Sequence, residues 1–465
     1  MLAALALAAA LLGALSASAQ ARAKFDIHLL ARIGPPGYPG LSLVAPDRTI
    51  YVSTFSNPQG SGTYPSKVFA FDPNGHPLRT YTVTGQNPNG AAGVQVAARD
   101  SAGNLYLLDQ NPARVLILDP RTGRQTTYAT FRDVPTCSTA GGGDCGDTVQ
   151  DNPAEPDYAA WGTDGSLYVT DYQQGLIWRV PPGGGQAHVW FTDPQLDGTL
   201  FGPAQIVLMA DHHTLMLDTS AGGATSVGDP TTGKLYTLPI LANGRPGTLH
   251  KVWESGPREA PDGFALAASG NVYMALVGPD ANQLVEISPQ GQELGRAPTA
   301  AQNAAMNPPF DEPSSVAFDG DRMIVTNDAY FSGDSSHFAI FDVFAGESGA
   351  PVYVPPTSGA AQAPPGGSAR RHGARYRLRV RLRSVHAGMA HNYRFTALVR
   401  RGGRWRPLRH ALVLFAGRRR RTDAHGDVTF VATLRHRGRY AAVLKVSRRV
   451  VARGFVHVLS TRLFL

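Results

Sequence analysis

The 465-residue sequence is rich in glycine and proline and poor in charge. Its 51 glycines, 35 prolines and 17% charged residues exclude a coiled coil, a helical bundle and a wholly disordered chain. The net charge of +8 divides unevenly, because residues 370–465 carry 24 arginines and one lysine against two aspartates. An acidic body is therefore expected to precede a strongly basic unit.

The first segment of the chain, Leu2–Leu15, is an unbroken run of leucine, alanine and glycine. Ala17–Ala19 follows it with the small-x-small spacing of a cleavage site, so we predict a secretory signal peptide over residues 1–23. The protein is accordingly expected to be secreted or held in the cell envelope. No later stretch is apolar over 18 residues, so no transmembrane span is expected in the mature chain.

One pattern recurs six times along the acidic body: an alternating apolar strand, a tight Asp/Gly turn and a second apolar strand. The second strands centre on Tyr51, Tyr106, Tyr168, Met216, Tyr273 and Ile324. The intervals of 48–62 residues between these centres leave room for four short strands and their turns. The pattern predicts an all-β fold, a six-bladed β-propeller over residues 24–354. A strand near Phe25–Arg32 is expected to join the last blade and close the ring.

Cys137 and Cys145 are the two cysteines of the chain, and three consecutive glycines lie between them. In an exported protein this pair predicts a local disulfide, since glycine allows a short loop to close. Two free thiols in a flexible loop are the alternative. Zinc is not expected, because no second Cys or His pair accompanies them.

Residues 355–373 are rich in proline, glycine and alanine and predict a linker. Beyond it, residues 374–465 contain six or seven short segments in which arginine alternates with leucine or valine. This is the profile of a small immunoglobulin-like β-sandwich.

The densest basic cluster of this second unit is formed by Arg418, Arg419, Arg420 and Arg421. Such a cluster predicts attraction to an anionic cell-envelope polymer. Export argues against nucleic acid as the partner, and no aromatic ladder for base stacking accompanies the arginines. The alternative is a solvated polar face that reflects an arginine-rich composition.

The innermost strand of each blade is expected to begin at one mouth of the central channel. Two of the six copies place a carboxylate there, Asp157 in a PDY motif and Asp262 in a PDG motif, while Ala91–Gly93 stands at this place in the second copy. Carboxylates that converge in a narrow channel suit a hard cation such as calcium. The alternative is that both aspartates only cap backbone amides of their turns.

The ordered series of these segments resembles the regucalcin/gluconolactonase family of six-bladed propellers. The likeness is clearest from about Pro153 to Asn327, in TDGSLYVTD, GKLYTLPI, PDGFALAASGNVYMAL and EPSSVAFDGDRMIVTN. The resemblance implies calcium or another divalent cation in the channel and the hydrolysis of small lactones or esters.

Residue by residue, the family's metal site is matched only in part. Asp262 matches the aspartate of the family's PDG motif, which implies a metal ligand and a catalytic base. Asp157 stands where the family has an asparagine ligand. Ala204 replaces a second asparagine, so Gln205 would have to supply an oxygen instead, and Pro39 replaces a glutamate.

Two other functions fit the same sequence. The propeller could bind a small-molecule ligand in its channel without chemistry, tethered by the basic C-terminal unit. Alternatively, the protein could be a structural component of the envelope that uses both units as adhesive surfaces.

Overall fold

A computed structural model describes residues 22–459, apart from 55–64, 88–92, 141–142, 199–200, 221–231, 279–280, 356–374, 381–383, 387–389, 402–403, 436–437 and 447–448. The predicted signal peptide, except for residues 22 and 23, and the predicted linker, except for residue 355, lie outside the described residues. The chain forms two units, Met1–Ala361 and Gln362–Leu465. Each unit is all-β, and helix is confined to α1 (Ala300–Ala305) and a 3-10 turn at Pro194–Leu196 within the described ranges.

The first unit contains six sheets that follow one another along the chain after an N-terminal strand, β1 (Ile27–Arg32). The first two blades comprise β2 (Pro39–Val44), β3 (Ile50–Thr54), β4 (Lys67–Phe71) and β5 (Pro77–Thr82), then β6 (Val94–Arg99), β7 (Leu105–Gln110), β8 (Ala113–Leu118) and β9 (Gln125–Thr130). The third blade comprises β10 (Pro156–Trp161), β11 (Leu167–Asp171), β12 (Leu176–Val180) and β14 (His188–Thr192). Between β12 and β14, β13 (Gly185–Gln186) pairs in parallel with β9.

The remaining blades have the same order of strands. The fourth comprises β15 (Pro203–Leu208), β16 (Thr214–Thr219), β17 (Thr232–Pro239) and β18 (His250–Pro257). The fifth comprises β19 (Pro261–Leu266), β20 (Val272–Leu276), β21 (Gln283–Ile287) and β22 (Glu293–Ala297). The sixth comprises β23 (Pro313–Asp319), β24 (Arg322–Asn327) and β25 (Ala339–Phe344), to which β1 adds as the outer strand.

The ring closes through the N-terminal strand. β1 pairs antiparallel with β25, with Ile27 opposite Val343 and Arg32 opposite Ala339. This pairing covers a sheet edge that would otherwise expose unpaired backbone groups. The prediction of a six-bladed propeller with this closure is confirmed.

The second strand of each blade forms the core of the propeller. Every residue of β3, β7, β11 and β20 is buried, because neighbouring blades pack against both faces of these strands. Tyr168 and Tyr273, at two of the predicted strand centres, are fully enclosed. Burial on both faces is why these strands read as nearly continuous apolar runs in the sequence.

The second unit is a sandwich of two sheets. Its strands are β26 (Arg375–Val380), β27 (Ser384–His386), β28 (Ala390–Arg401), β29 (Arg404–Pro407), β30 (Leu412–Phe415), β31 (Arg418–Arg421), β32 (Asp427–Thr433), β33 (Gly438–Val446) and β34 (Arg449–Leu459). β26, β28, β29 and β32 form one sheet, and β27, β34, β33, β30 and β31 form the other. Phe395 and Phe430 of the first sheet pack against Phe415 of the second, with ring centroids 4.9 and 5.9 Å from that of Phe415.

Cys137 and Cys145 form a disulfide with an S–S distance of 2.04 Å, which confirms the predicted pairing. The bond lies in the connection between β9 and β10. Within the described ranges of the chain, no helix is long and apolar enough to cross a membrane.

Candidate functional site

The six innermost strands, β2, β6, β10, β15, β19 and β23, surround the channel of the propeller, and each contacts the next around the ring. Because they run in the same direction, their first residues meet at one mouth and their last residues at the other. We call the mouth at the first residues the acidic mouth and the opposite one the strand-end mouth.

The structure brings two of the three predicted ligands to the acidic mouth. Asp157 and Asp262 each follow the first proline of an innermost strand, and the charge of Asp262 raises the pKa of Asp157. Gln205 lies deeper, among the residues that line a cavity reaching the strand-end mouth. Its side-chain amide donates a hydrogen bond of 2.9 Å to the carbonyl oxygen of Phe264.

Two further aspartates join them that the sequence analysis did not identify. Asp218 is the penultimate residue of β16, and Asp328 directly follows β24. The second strand of a blade runs antiparallel to the first, so its end lies beside the start of the innermost strand. The recurrent Asp at the ends of the second strands, in YVTD, LMLD and VTND, was the signal that could have revealed them.

Asp157, Asp218, Asp262 and Asp328, which we call the acidic cluster, have raised pKa values. Burial is the largest cause for all four. Mutual repulsion adds to it: Asp262 raises the pKa of Asp157 and of Asp218, and Asp328 raises that of Asp262. The pKa of Asp262 reaches about 8, so this carboxyl group is mostly protonated at neutral pH.

The acidic cluster has no cationic partner within the described part of the chain. Gln95 donates a hydrogen bond of 3.1 Å to Asp157, and Tyr158 donates one of 3.2 Å to Asp262. Both carboxylate oxygens of Asp218, and Oδ1 of Asp328, are buried without a hydrogen-bond partner. Asp157, Asp218 and Asp328 are buried and Asp262 is half-buried. Buried carboxyl groups without a counter-charge stay neutral or need a cation.

Blade two places a different residue at the acidic mouth from the one that the sequence predicted. β6 begins at Val94, which pairs with Asp109, so Gln95 occupies the place that the sequence analysis assigned to Ala91–Gly93. Ala91 and Ala92 lie outside the described residues. Gln95 accepts a hydrogen bond of 3.2 Å from Ser53 and donates to Asp157, and it thereby links three blades.

Tyr158 forms the floor of the acidic mouth. It is 2% exposed, and its hydroxyl reaches across the channel to Oδ1 of Asp262 and, at 3.0 Å, to the carbonyl oxygen of Ser314. Gly263 permits this approach, because a Cβ there would lie 2.7 Å from the hydroxyl. Tyr158 also lines the strand-end cavity, so its side chain contacts both that cavity and the acidic cluster.

Aromatic side chains from several blades form an arc at the same mouth. Tyr172 stacks on Phe201 at 6.0 Å, Phe201 meets Phe331 edge-on at 6.1 Å, Phe331 contacts Tyr330, and Tyr330 contacts Tyr38. We call these five residues the aromatic arc. Burial raises the pKa values of Tyr38 and Tyr330, and the charge of the nearby Asp328 adds to this rise, so the arc lies close to the acidic cluster.

Glu155 adds a fifth carboxyl group beside the cluster. Burial, opposed by a hydrogen bond from Tyr172, raises its pKa to about 7. The charge of Glu155 in turn raises the pKa of Asp157. Two carboxyl groups, Glu155 and Asp262, thus titrate near neutral pH at one mouth.

The chemistry of these donors suits a hard cation, but their arrangement does not form a chelating set. In the described ranges, no three His, Cys, Asp or Glu side chains are grouped so that they could hold a metal ion. The amide of Gln205 is bonded to Phe264, and Pro39 and Ala204 supply no side-chain oxygen. We therefore derive no chemical step through a bound metal.

No known family model matches the chain, and no curated protein matches it. Among solved structures, it is similar to a streptogramin B lyase at 15% identity and a TM-score of 0.41, over 65% of this chain and 81% of that one. It is similar to a luciferin-regenerating enzyme at 13% identity and a TM-score of 0.45, over 70% and 98%. A putative 6-phosphogluconolactonase from Bacteroides uniformis gives 14% identity and a TM-score of 0.38, over 62% and 77%. At these values the assignment of a propeller rests on the six sheets of the chain itself.

Proposed function

We propose that the propeller binds a small cationic molecule at its acidic mouth. The observation that carries this proposal is the acidic cluster, three buried aspartates and the half-buried Asp262, with no cationic partner in the described ranges. Enclosed carboxyl groups repel one another when ionised, and a bound cation removes both the repulsion and the cost of burial.

The aromatic arc supports an organic cation in preference to a metal ion. Ammonium groups are attracted to the faces of tyrosine and phenylalanine, and sites for quaternary ammonium combine such rings with carboxylates. Phe331 is 58% exposed, although it contacts both Phe201 and Tyr330 of the arc. This exposure supports a role for Phe331 at the entrance, where a ligand would meet it first.

Calorimetric titration of the full chain at pH 7 with tetramethylammonium chloride tests the proposal, with sodium chloride as the control for ionic strength. We expect binding with release of protons, measured as a difference in heat between two buffers, because burial and mutual repulsion raise the pKa values of the four carboxyl groups and a bound cation would lower them. Asp218→Asn should weaken binding by about 30-fold or more, because a buried charged partner is lost. Phe331→Ala should weaken it by about fivefold, in line with a cation–π contact of roughly 1 kcal/mol.

The matched control is Asp321→Asn, which removes one exposed carboxylate from the turn between β23 and β24, at the other end of the channel. It should leave the titration unchanged. Equal binding by wild type and Asp218→Asn, or no binding of tetramethylammonium at millimolar concentration, would contradict the proposal. Calcium chloride is titrated in parallel. Calcium binding that is lost in Asp218→Asn, without tetramethylammonium binding, would favour the divalent cation that the gluconolactonase resemblance implies.

A second candidate function is the hydrolysis of small lactones or esters. It is favoured by Glu155 and Asp262, whose pKa values of about 7 and about 8 suit a general base and a general acid. In this proposal, Glu155 takes a proton from the attacking water, and Asp262 gives its proton to the leaving oxygen. The products are the free carboxylic acid and alcohol, or the ring-opened hydroxy acid.

A panel of gluconolactone and aryl acetates tests this candidate. Activity should be highest between pH 7 and pH 8, where Glu155 is ionised and Asp262 is still protonated. Asp262→Asn and Glu155→Gln should each lower kcat by about 100-fold, and Asp321→Asn should not. Turnover that survives in Asp262→Asn, or that is absent from wild type, would rule out these roles.

We also propose that the protein is exported and attaches to the cell envelope. The signal-peptide pattern supports export, and exposed Arg418, Arg419, Arg420 and Arg421 support attraction to an anionic envelope polymer.

A further inference from the structure

At the strand-end mouth, the channel widens into a cavity that Tyr158 also lines. Its volume is about 470 Å³, which lies in the usual range for small-molecule sites. The second halves of all six innermost strands line it. Most of its surface is apolar, with walls that include Leu43, Trp161, Val207, Leu266, Phe318 and Tyr353.

A segment from the end of the propeller closes part of this cavity. Residues 348–354, which we call the strap, follow the last blade and cross the strand-end mouth. Ala350 donates a hydrogen bond of 2.8 Å to Leu266 of blade five, and the ring of Tyr353 lies 5.5 Å from that of His212 in blade four. The strap thus covers part of the channel mouth and leaves the rest of the cavity open.

Two arginines line the cavity, and they differ in their partners. Arg48 is paired with Asp319 through two hydrogen bonds of 2.7 and 3.0 Å. Arg99, the last residue of β6, is partly buried, and its guanidinium has no hydrogen bond or ion pair with any described residue. Burial lowers the pKa of Arg99, and the charges of Asp100 and Asp47 offset only part of this effect.

An arginine in such surroundings is a suitable site for an anion. Guanidinium binds carboxylates through two parallel hydrogen bonds, and such bonds are stronger where water is excluded. Asp319 is the other charged residue that lines the cavity besides the two arginines, and Arg48 and Arg322 both pair with it. Of the charges along the described walls, that of Arg99 alone is uncompensated by a direct contact.

We propose that the cavity at the strand-end mouth binds a small amphiphilic carboxylate, whose head pairs with Arg99 and whose apolar body packs against the strap and the channel walls. The ligand class is a medium-chain alkyl or aryl carboxylate. This site is distinct from the acidic mouth, because none of the four aspartates of the acidic cluster lines the cavity.

Calorimetric titration of the full chain with octanoate, and with 1-octanol as the uncharged probe of the same chain length, tests the inference. The buffer contains 0.5 M sodium chloride, so that the exposed arginines of the second unit are screened. We expect octanoate to bind more tightly than octanol. Arg99→Gln should weaken octanoate binding by at least about tenfold and leave octanol binding unchanged, since only the charged head loses its partner.

Three further variants serve as controls, and circular dichroism melting checks that each one folds. Arg48→Gln, at the same cavity, should leave octanoate binding unchanged, because that guanidinium is already occupied by Asp319. Val207→Phe should weaken both probes by filling the cavity. Asp262→Asn should affect neither probe, which keeps this outcome distinct from that of the acidic mouth. Octanoate binding that is equal in wild type and Arg99→Gln, or that is absent from wild type, would overturn the inference.

Discussion

The hydroxyl of Tyr158 lies 3.2 Å from Oδ1 of Asp262, and this contact joins blade three to blade five across the channel. The two residues are 104 positions apart in the sequence. Their meeting divides the channel into an acidic mouth with its aromatic arc and an apolar cavity under the strap. Among the described residues, each half contains ionisable groups without an ionic partner, the acidic cluster in one half and Arg99 in the other.

Tyr158→Phe should destabilise the propeller by about 1–2 kcal/mol, because the single hydroxyl proton is shared between two acceptors, Oδ1 of Asp262 and the carbonyl oxygen of Ser314, and both lose this donor. The pKa of Asp262 should rise further, since the bond from Tyr158 lowers it. Urea unfolding measures the first effect. Tyr168→Phe is the matched control, because the hydroxyl of Tyr168 is buried without a partner and its removal should cost almost nothing. Equal losses in the two variants would show that the bridge contributes no stability.

The acidic cluster should make the propeller less stable as pH rises from 4 to 8. A carboxyl group whose pKa is higher in the folded state binds more protons folded than unfolded, so its contribution is complete below the unfolded pKa and is lost as pH approaches the folded value. For Asp262 this window extends from about 4 to about 8. Urea unfolding of the full chain at intervals of half a pH unit measures the slope.

Asp218→Asn should flatten this dependence and stabilise the propeller at pH 8 by about 1–3 kcal/mol, because it removes an unpaired buried charge. This gain in the free energy of unfolding should become smaller as the pH falls toward 4. Asp319→Asn is the control of opposite sign. Hydrogen bonds from Arg48 and Arg322 outweigh burial and lower the pKa of Asp319, so this variant should be less stable than wild type at pH 8. A propeller that is less stable in Asp218→Asn than in wild type at pH 8 would mean that the acidic cluster already has a counter-charge.

Gly263→Ala should destabilise the propeller by about 2 kcal/mol or more, through strain of the kind that extra core volume produces. The added Cβ would lie 2.6 Å from the carbonyl oxygen of Ser314 and 2.7 Å from the Tyr158 hydroxyl. Gly34→Ala is the control, because a Cβ there meets no atom within 4 Å. Thermal unfolding of the two variants compares them. Similar melting temperatures would mean that the channel floor moves freely.

The arginines of β31 should bind anionic polymers in a salt-dependent way. All four side chains are exposed, so their attraction to a polymer is screened by salt. Retention of the full chain on a polyanionic resin should fall steeply between 0.05 and 0.5 M sodium chloride. The double variant Arg419→Gln/Arg420→Gln should elute earlier than wild type. The control is the double variant Arg79→Gln/Arg124→Gln, which removes the same charge from blades one and two and should not elute earlier. Retention that persists at 0.5 M salt would contradict an electrostatic mode.

The periodicity of the sequence determined the propeller to a large extent. Alternation of apolar residues with tight turns is a local property, and the strand centres at Tyr51, Tyr106 and Tyr273 lie in β3, β7 and β20 as expected. The closing strand and the disulfide were also within reach, since both depend on short segments with few alternative partners. The start of blade two was placed wrongly, because the glycine of Ala91–Gly93 resembles a turn but β6 begins one residue later.

Only part of the candidate site could be predicted from the sequence. Asp157 and Asp262 could be assigned to one mouth, because each occupies the same place in its repeat. Asp218, Asp328 and Tyr158 required the tertiary structure, since their meeting depends on how six blades close around the axis. Arg99 likewise has no motif, and only the folded chain shows that its charge lacks a direct partner among the residues that the structure describes. Local chemistry thus determined the strands and their order, whereas ring closure decided which charges share an enclosed space, because it unites residues more than a hundred positions apart.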